Sequence, residues 1–311
     1  VKRFHFNGQI IGRYEMNFLK LPTIFILTML AICSLSSKKL LAAKNDVLSV
    51  SKVTQIPTID GISDDSVWSQ APALIVSVYE VVGKDKGREN FVTMKAIYNQ
   101  THICILAEWL DKTKDDTHKS WVWNVEKKTY TKGKDLEDIF SISFPIEGQF
   151  TGNMLSPVEC TWDVWYWKAA RTNPSGYAMD KHHIHTFRQP KGKAKQFPAT
   201  NKRKIWIARP ADKGDSPTGH QKKPSAFAGN RVDQYPPSVP TESQADVLAK
   251  GIWNDGKWTL EMLRKMNTGY DDDANLSTKQ SYDMAIAVFD HEEHAKHNSS
   301  KVIKMRFESA K

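Results

Sequence analysis

Histidines with regular spacing are the first residues in this chain that could hold a metal ion. His291, His294 and His297 follow an H-x-x-H-x-x-H spacing. A zinc-protease helix instead needs two histidines four residues apart with a glutamate between them. The segment lies between two strong strand patterns and is too short for a stable helix. We therefore interpret it as a solvated loop, with a metal site as the alternative.

The remaining polar clusters are less specific. Asp271-Asp272-Asp273 lacks the glycine and terminal glutamate of an EF-hand loop, so turn acids are the simpler interpretation. On an extended chain, His183 and His185 share one face and His182 lies on the other. No Ser-His-Asp arrangement or paired-carboxylate pattern stands out, so the sequence makes no case for hydrolytic chemistry.

Aromatic residues carry a stronger signal. Residues 162–167 read Trp-Asp-Val-Trp-Tyr-Trp, a strand in which Trp165 and Trp167 share a face. Such a face packs into a core, lines a flat apolar cofactor or stacks on a sugar ring. Trp121 and Trp123, in a loop of mixed charge, are the other candidates for stacking on a sugar.

Alternation of apolar and polar residues predicts that the elements positioning these groups are mainly β-strands. Residues 92–98 and 103–109 alternate on either side of Asn99-Gln100, which predicts a β-hairpin. A second turn is predicted at Asn254-Asp255-Gly256. Further strand patterns lie at 258–266, 284–289 and 303–307. No segment beyond residue 43 shows a sustained helical period.

The first 43 of the 311 residues differ from the rest. Lys20 precedes an apolar run of fifteen residues, and Ala42 and Ala43 follow it. This pattern predicts a secretory signal peptide, hence export to the periplasm or an equivalent compartment. The run is shorter than the roughly 20 residues of a membrane span, although an uncleaved anchor is the alternative. Residues 44–311 are then expected to form a single domain.

A net charge of +9 would suggest binding to nucleic acid, but its distribution along the chain has to be considered first. Residues 1–43 contain six basic residues and one acidic residue, so the other 268 residues carry only +4. Much of that charge lies in an excursion at about 187–248, rich in Lys, Pro, Gly and Ser. We expect this excursion to contact a protein partner rather than nucleic acid, with a solvated loop as the alternative.

Cysteine usage excludes several kinds of redox centre. The sequence has no CxxCH and too few cysteines for an iron–sulfur cluster, so covalent c-type haem is excluded as well. Beyond the predicted signal segment, Cys104 and Cys160 remain. An exported protein could join them in a disulfide.

Two passages resemble known families. Residues 56–61, Ile-Pro-Thr-Ile-Asp-Gly, and 64–68, Asp-Asp-Ser-Val-Trp, resemble the opening of DOMON-like and family-9-like carbohydrate-binding sandwiches. Residues 163–174, Asp-Val-Trp-Tyr-Trp-Lys-Ala-Ala-Arg-Thr-Asn-Pro, resemble haem-binding γ subunits. These are the γ subunits of ethylbenzene dehydrogenase, dimethylsulfide dehydrogenase, selenate reductase and nitrite oxidoreductase, the last being nearest. The C-terminal strand pair, with residues 253–258, 287–290 and 298–301, fits the same group, so the resemblance covers about residues 50–310.

The resemblance implies an antiparallel β-sandwich with long loop insertions and one non-covalent b-type haem with Met and Lys axial ligands. The methionine of the group lies shortly before the W-x-W strand, where Met154 stands, with Met179 as the alternative. The lysine lies just before the last strand and corresponds to Lys301, with Lys296 as the alternative.

In function, the resemblance implies an exported electron-transfer subunit. It would relay electrons between an Fe–S subunit and an acceptor such as cytochrome c. The same complex would contain a molybdenum-containing catalytic subunit. Trp165 and Trp167 would pack near the macrocycle, and the excursion would hold a partner subunit. The alternative is a secreted carbohydrate- or ligand-binding sandwich without redox activity, with Trp121, Trp123 or Trp165 as the stacking platform.

Overall fold

A computed structural model describes residues 47–292 and 296–308, and the predicted signal segment lies outside them. Its strands are β1 (Val47–Lys52), β2 (Leu74–Glu80), β3 (Glu89–Tyr98), β4 (His102–Leu110), β5 (Trp121–Asn124), β6 (Thr129–Lys132), β7 (Ile139–Gly148), β8 (Cys160–Lys168), β9 (Met179–Thr186), β10 (Ala194–Pro198), β11 (Lys204–Ala208), β12 (Arg231–Val232), β13 (Leu248–Asn254), β14 (Lys257–Lys265), β15 (Ser281–Phe289), β16 (Asn298–Ser300) and β17 (Ile303–Phe307). Short 3₁₀ helices occupy Ser66–Gln70, Asn173–Ser175 and Glu242–Ala245. Within the described ranges there is no α-helix.

Fourteen strands form one sheet, whose path runs β10-β11-β9-β8-β7-β15-β16-β2-β3-β4-β14-β13. β1 and β17 lie off this path, with β17 beside β15 and β1 beside β3. Neighbouring strands are antiparallel, except that β1 runs parallel to both β17 and β3. The predicted mainly antiparallel β fold is confirmed.

An aromatic core lies between two layers of this sheet. Trp109 of β4 stacks on Phe140 of β7 with ring centroids 5.2 Å apart. Trp167 of β8 meets Trp258 of β14 edge-on at 5.1 Å. Because β4 and β14 are neighbours and β7 and β8 are neighbours, these contacts place the two pairs face to face, which is the predicted sandwich.

Local turn chemistry explains both predicted hairpins. In the β3–β4 turn, the Asn99 side-chain oxygen accepts hydrogen bonds from the backbone N–H groups of Thr101 and His102. In the β13–β14 turn, Asp255 and Gly256 have φ values of 47° and 78°. Two successive positive φ angles match the right-handed twist of the strands, and Asp-Gly is a preferred pair for such turns.

The excursion predicted at 187–248 is only partly irregular. β10 and β11 pair as a hairpin and extend the edge of the sheet beyond β9. β12 joins β5 and β6 in a small separate sheet. The excursion is therefore held by strand pairing at two places, to the edge of the large sheet and to the small sheet.

Cys104 and Cys160 are both free and buried, in separate apolar clusters, so no disulfide joins them. No helix within the described ranges is long and apolar enough to cross a membrane.

Candidate functional site

The sheet has an outer face, opposite the tryptophan core, with small side chains at its centre. Alternate residues of a strand point to opposite sides, and Phe140, Ile142 and Ile286 point into the core. The intervening small residues are Ser141 and Ser143 of β7 and Ala285 and Ala287 of β15. Ser141 pairs with Ala287, and Ser143 pairs with Ala285. These paired small residues form a flat floor, in which Ser141 and Ala285 are buried.

Aromatic side chains border this floor. On the next strand, Tyr166 pairs with Ser141 and its ring meets Phe289 edge-on at 6.1 Å. Phe289 in turn stacks on His297 at 4.7 Å. On the other side, Tyr79 of β2 pairs with Ser299 of β16. Rings around a flat floor of small residues favour an apolar planar ligand.

Met154, the predicted thioether ligand, lies in the loop between β7 and β8. Its partly buried side chain packs against the cluster of Cys160, Trp162 and Val164. Trp162 and Val164 alternate with the core-facing Trp165 and therefore belong to the outer face. Met154 accordingly lies at the border of that face.

Lys301, the predicted amine ligand, lies between β16 and β17 and is exposed. Its Nζ atom is 5.8 Å from the ring centroid of Tyr79. The loop that carries Met154 approaches the same segment, because a Cβ atom on Gly152 would lie 3.2 Å from Ala285 Cβ and 3.5 Å from Val302 Cγ2. The structure thus brings the Met154 loop and the Lys301 segment together beside β15.

The two alternative ligands have different surroundings. Lys296 is exposed, and its Nζ atom donates to Glu292 Oε1 at 2.8 Å. This hydrogen bond raises the pKa of Lys296, which favours the charged form. Met179 lies on β9 opposite Tyr166, at the outer face. Its Sδ atom is 3.5 Å from the Nζ atom of Lys168.

Lys168 and Lys181 are functional candidates that sequence reasoning missed. Lys168 is 4% exposed, and burial, followed by repulsion from Arg171 and Lys181, holds its pKa well below the usual range. Burial lowers the pKa of Lys181 to about 7, with Arg209 and Arg171 adding repulsion. Both ammonium groups lie near the Tyr166 ring, at 4.9 and 3.9 Å from its centroid. The sequence does indicate the position of Lys168, because this residue continues the alternation of Trp162, Val164 and Tyr166 along β8 and so belongs to the same face.

Two buried histidines extend this side of the outer face, and the predicted division of the three histidines is confirmed. His183 and His185 pair with Trp162 and Cys160, whereas His182 bonds Asp212 on the opposite side. Burial lowers the pKa of His183 well below its usual value, and neither ring nitrogen has a hydrogen-bond partner among the described residues. His183 is therefore a neutral imidazole with unused donor and acceptor capacity.

Trp165 and Trp167 are fully buried on the core side of β8. Trp165 packs on Phe144 at 5.1 Å, and the Trp167 indole N–H donates to Asn173 Oδ1 at 3.1 Å. The pair therefore supports the outer face from behind. Of the other tryptophans, Trp121 donates its indole N–H to the Gln221 carbonyl oxygen, so the excursion holds it.

Comparison with known proteins establishes the family. Residues 65–300 match the family model described as ethylbenzene dehydrogenase. The chain belongs to the ethylbenzene dehydrogenase family. Family membership supports an electron-transfer role in a molybdoenzyme complex with other subunits, and the family is associated with haem b-binding subunits.

Other comparisons add little about function. No curated protein matches the chain. A family-9 carbohydrate-binding module from Caldicellulosiruptor kristjanssonii in complex with glucose is 10% identical, covering 85% of this chain and 97% of its own, with a TM-score of 0.37. The same kind of module in complex with cellotriose is 10% identical, covering 85% and 95%, with a TM-score of 0.36. Similarity at this level does not bear on what the chain binds.

The outer face fits the cofactor that the family implies. A planar macrocycle needs a flat floor without bulky side chains, and the serines and alanines at the centre provide one. Iron in haem accepts thioether, amine or imidazole ligands, and the border of the face carries all three kinds. His183 supplies an orphaned buried imidazole, which a purely structural face has no reason to keep unpaired.

Proposed function

We propose that this chain is the haem b-binding electron-transfer subunit of an exported molybdoenzyme complex. The observation that carries the proposal is the floor of small residues, bordered by aromatic rings and by two groups of methionine and lysine side chains. One group contains Met154 and Lys301, and the other contains Met179, Lys168 and Lys181. When bound, the haem would accept and release single electrons between the Fe–S subunit and the acceptor.

We propose Met154 and Lys301 as the axial ligands, following the resemblance to the γ subunits. Support comes from the contact of Gly152 with Ala285 and Val302, which joins the two ligand-bearing segments beside the floor. Met179 is the alternative to Met154, and Lys296 is the alternative to Lys301. Lys296 is the weaker candidate, because Glu292 already holds its ammonium group.

The lysine ligand must be neutral, and this requirement distinguishes the candidates. With an ordinary pKa near 10.4, losing the proton at pH 7 costs about 4.6 kcal/mol. Lys301 is exposed, so the bond to iron and the apolar macrocycle would have to offset this cost. By contrast, burial already lowers the pKa of Lys168 and the pKa of Lys181. Burial therefore disfavours the charged form of both side chains without any bond to iron.

The proposed role of Trp165 and Trp167 follows from their place behind β8. Both are fully buried and fill the core against Phe144, Trp109 and Trp258. We propose that they fix the position of β8, and hence the distance between the Met154 loop and β9. This packing would hold the pocket rigid near the macrocycle, which limits reorganisation during electron transfer.

The partners are proposed from the family and from charge. They are a molybdenum-containing catalytic subunit, an Fe–S subunit and a cytochrome c-type acceptor, with nitrite oxidoreductase as the nearest complex. The excursion at 187–248 carries exposed lysines, among them Lys191, Lys193 and Lys195. We propose that this basic surface contacts an acidic surface of a partner subunit, because its charge is too mild and local for nucleic acid.

Substitution of the ligands tests the site. The full chain, isolated from a haem-replete host, is expected to show a six-coordinate low-spin spectrum. Met154→Ala and Lys301→Ala should each convert it to a five-coordinate or high-spin form. Met179→Ala and Lys168→Met serve as matched controls from the other side of the face. If the controls change the spectrum and the first two variants keep it, Met179 and Lys168 are the ligands instead.

A further inference from the structure

A cluster of carboxylates lies inside the sandwich, on the core side of β8 and β9. Asp163 of β8, Asp180 of β9 and Asp273, in the segment between β14 and β15, form it. Each offers a carboxylate oxygen within 4.8 Å of the other two. Their exposures are 0%, 0% and 6%, so water does not solvate the three groups. We call these three residues the buried carboxylate cluster.

Arg264 is the cation in direct contact with the cluster. It is fully buried, donates to Asp163, and places Nη1 3.3 Å from Asp273 Oδ1. Its other terminal nitrogen donates to the Ala274 carbonyl oxygen. With three carboxylates and one guanidinium, a formal charge of −2 remains. Buried charge of this kind is costly unless it is compensated.

Asp180 is the group that Arg264 does not satisfy. Neither of its carboxylate oxygens has a hydrogen-bond partner within the described part of the chain, and the residue is fully buried. Buried polar atoms are nearly always paired, so two orphaned oxygens on one carboxylate indicate a missing ligand. Because one of these oxygens lies within 4.8 Å of an oxygen of Asp163 and of an oxygen of Asp273, we place the missing ligand among the three carboxylates.

Further polar side chains lie next to Asp180. Gln244 is 1% exposed, its Nε2 donates to the backbone carbonyls of Asp180 and Asp212, and its Oε1 has no partner among the described residues. Asp212 and Asp272, with His182, form an adjoining group of potential ligands. A bound ion would therefore find both charged and neutral oxygens nearby.

We propose that Asp163, Asp180 and Asp273 bind a divalent cation, and that the cation is Ca²⁺. Oxygen-only donors are hard ligands, which exclude the softer metals that prefer sulfur or imidazole. Ca²⁺ accepts irregular arrangements of carboxylates and carbonyls, whereas Mg²⁺ demands an octahedron and retains several waters. A charge of +2 neutralises the formal charge that Arg264 leaves. The proposal does not depend on haem.

The proposed ion would join distant parts of the chain. Asp163 and Asp180 belong to neighbouring strands, and Asp273 comes from the segment after β14. The backbone carbonyl of Asp180 accepts hydrogen bonds from Gln244 and from the backbone N–H of Asp212, both of which belong to the excursion. Binding would thus fasten the excursion to the sandwich and stabilise the face that we propose meets a partner.

Calcium titration of the full chain tests the proposal. Protein treated with EGTA is titrated with CaCl₂ by calorimetry, and its melting temperature is measured with and without calcium. We expect the wild type to bind one more equivalent of calcium than Asp180→Asn does. We also expect the melting temperature of the wild type to rise by roughly 5–10 °C when free calcium is at a hundredfold excess over Kd. Asp271→Asn, an exposed neighbour of the cluster, is the matched control and should bind as the wild type does.

The variant also separates calcium binding from simple protonation. If Asp180 is only a neutral buried acid, Asp180→Asn and the wild type will respond identically to calcium, and the proposal is wrong. Equal stoichiometry in both proteins overturns it in the same way, since the ion then binds elsewhere. Binding of MgCl₂ in place of CaCl₂ would contradict the choice of metal. Because Asp180→Asn removes a buried charge, the variant should fold without calcium.

Discussion

The Nζ atom of Lys168 lies 3.5 Å from the Sδ atom of Met179, on the outer face of the sheet. Thioethers are weak hydrogen-bond acceptors, so this contact solvates an ammonium group poorly. It fits a lysine whose pKa is held well below its usual value by burial. The contact therefore joins a buried amine, whose charged form is disfavoured, to the thioether of the alternative ligand Met179.

The depressed lysines predict how the stability of the haem-free protein depends on pH. Burial lowers the pKa of Lys181 to about 7, whereas the unfolded value is near 10.4. Between these values the unfolded chain binds a proton that the folded chain lacks, so the unfolding free energy rises with pH. Lys181→Met should reduce the slope of unfolding free energy between pH 8 and 10 by at most about 1.4 kcal/mol per pH unit.

Urea unfolding at a series of pH values measures this slope. Buried carboxylates act in the opposite direction, but Asp138 and Asp273, with pKa values of about 7, are largely ionised above pH 8. Lys195→Met, at an exposed lysine of β10, is the control and should keep the wild-type slope. A slope unchanged in Lys181→Met would show that this lysine is solvated.

Close packing behind β8 predicts the effect of a single methyl group. A Cβ atom at Gly251 would lie 2.5 Å from Cζ2 of Trp167, a ring that is fully buried. Gly251→Ala should therefore lower the unfolding free energy by about 1–3 kcal/mol through overpacking. At Gly219 the same atom would meet Pro236 at 3.5 Å, an ordinary contact, so Gly219→Ala is the matched control. Equal melting temperatures for the two variants would contradict the packing described.

The buried ion pairs of Arg264 predict a larger loss of unfolding free energy than an exposed ion pair does. Arg264 is fully buried with Asp163 and Asp273, whereas Lys257 pairs with Glu108 at a side chain that is 45% exposed. Without calcium, Arg264→Met should cost about 3–5 kcal/mol because it leaves buried carboxylates unpaired. Lys257→Met should cost less than about 1 kcal/mol. Denaturant midpoints of both variants measure the difference, and comparable losses would refute the assignment of burial.

Thiol titration tests the separation of Cys104 and Cys160. Burial raises the pKa of both thiols, that of Cys160 to about 11, so neither should react with a disulfide reagent in the folded protein. The third cysteine, Cys33, lies in the predicted signal segment, so the assay uses the Cys33→Ser variant. In guanidinium chloride without reductant, two thiols per chain should then react. No reactive thiol after unfolding would instead demonstrate a disulfide.

The sequence was sufficient for the hairpins because their determinants are local. Alternation along 92–109 and the Asp255-Gly256 turn specify strand pairing within a few residues. Met154 and Lys301 could be named only through the family, and their approach depends on Gly152 meeting Val302, which lies 150 residues further along the chain. No local pattern encodes such a contact.

The buried carboxylate cluster illustrates the same limit. The sequence predicts a turn acid at Asp273, since nothing near it in sequence indicates burial. Arg264 and Asp163, about one hundred residues apart, meet only after β8 and β14 have packed in the two layers. The burial of Lys168 is hard to predict for a different reason. Its alternation with Tyr166 is visible in the sequence, but a lysine at the end of a strand is ordinarily solvated.

The central claim is that the outer face holds one b-type haem. Its most direct test is a pyridine haemochrome assay on the full chain, purified from a haem-replete host, with protein measured in parallel. The account predicts one non-covalent protohaem per chain, extractable by acid acetone because the sequence has no CxxCH. A colourless protein that takes up no haem when haemin is added would contradict it.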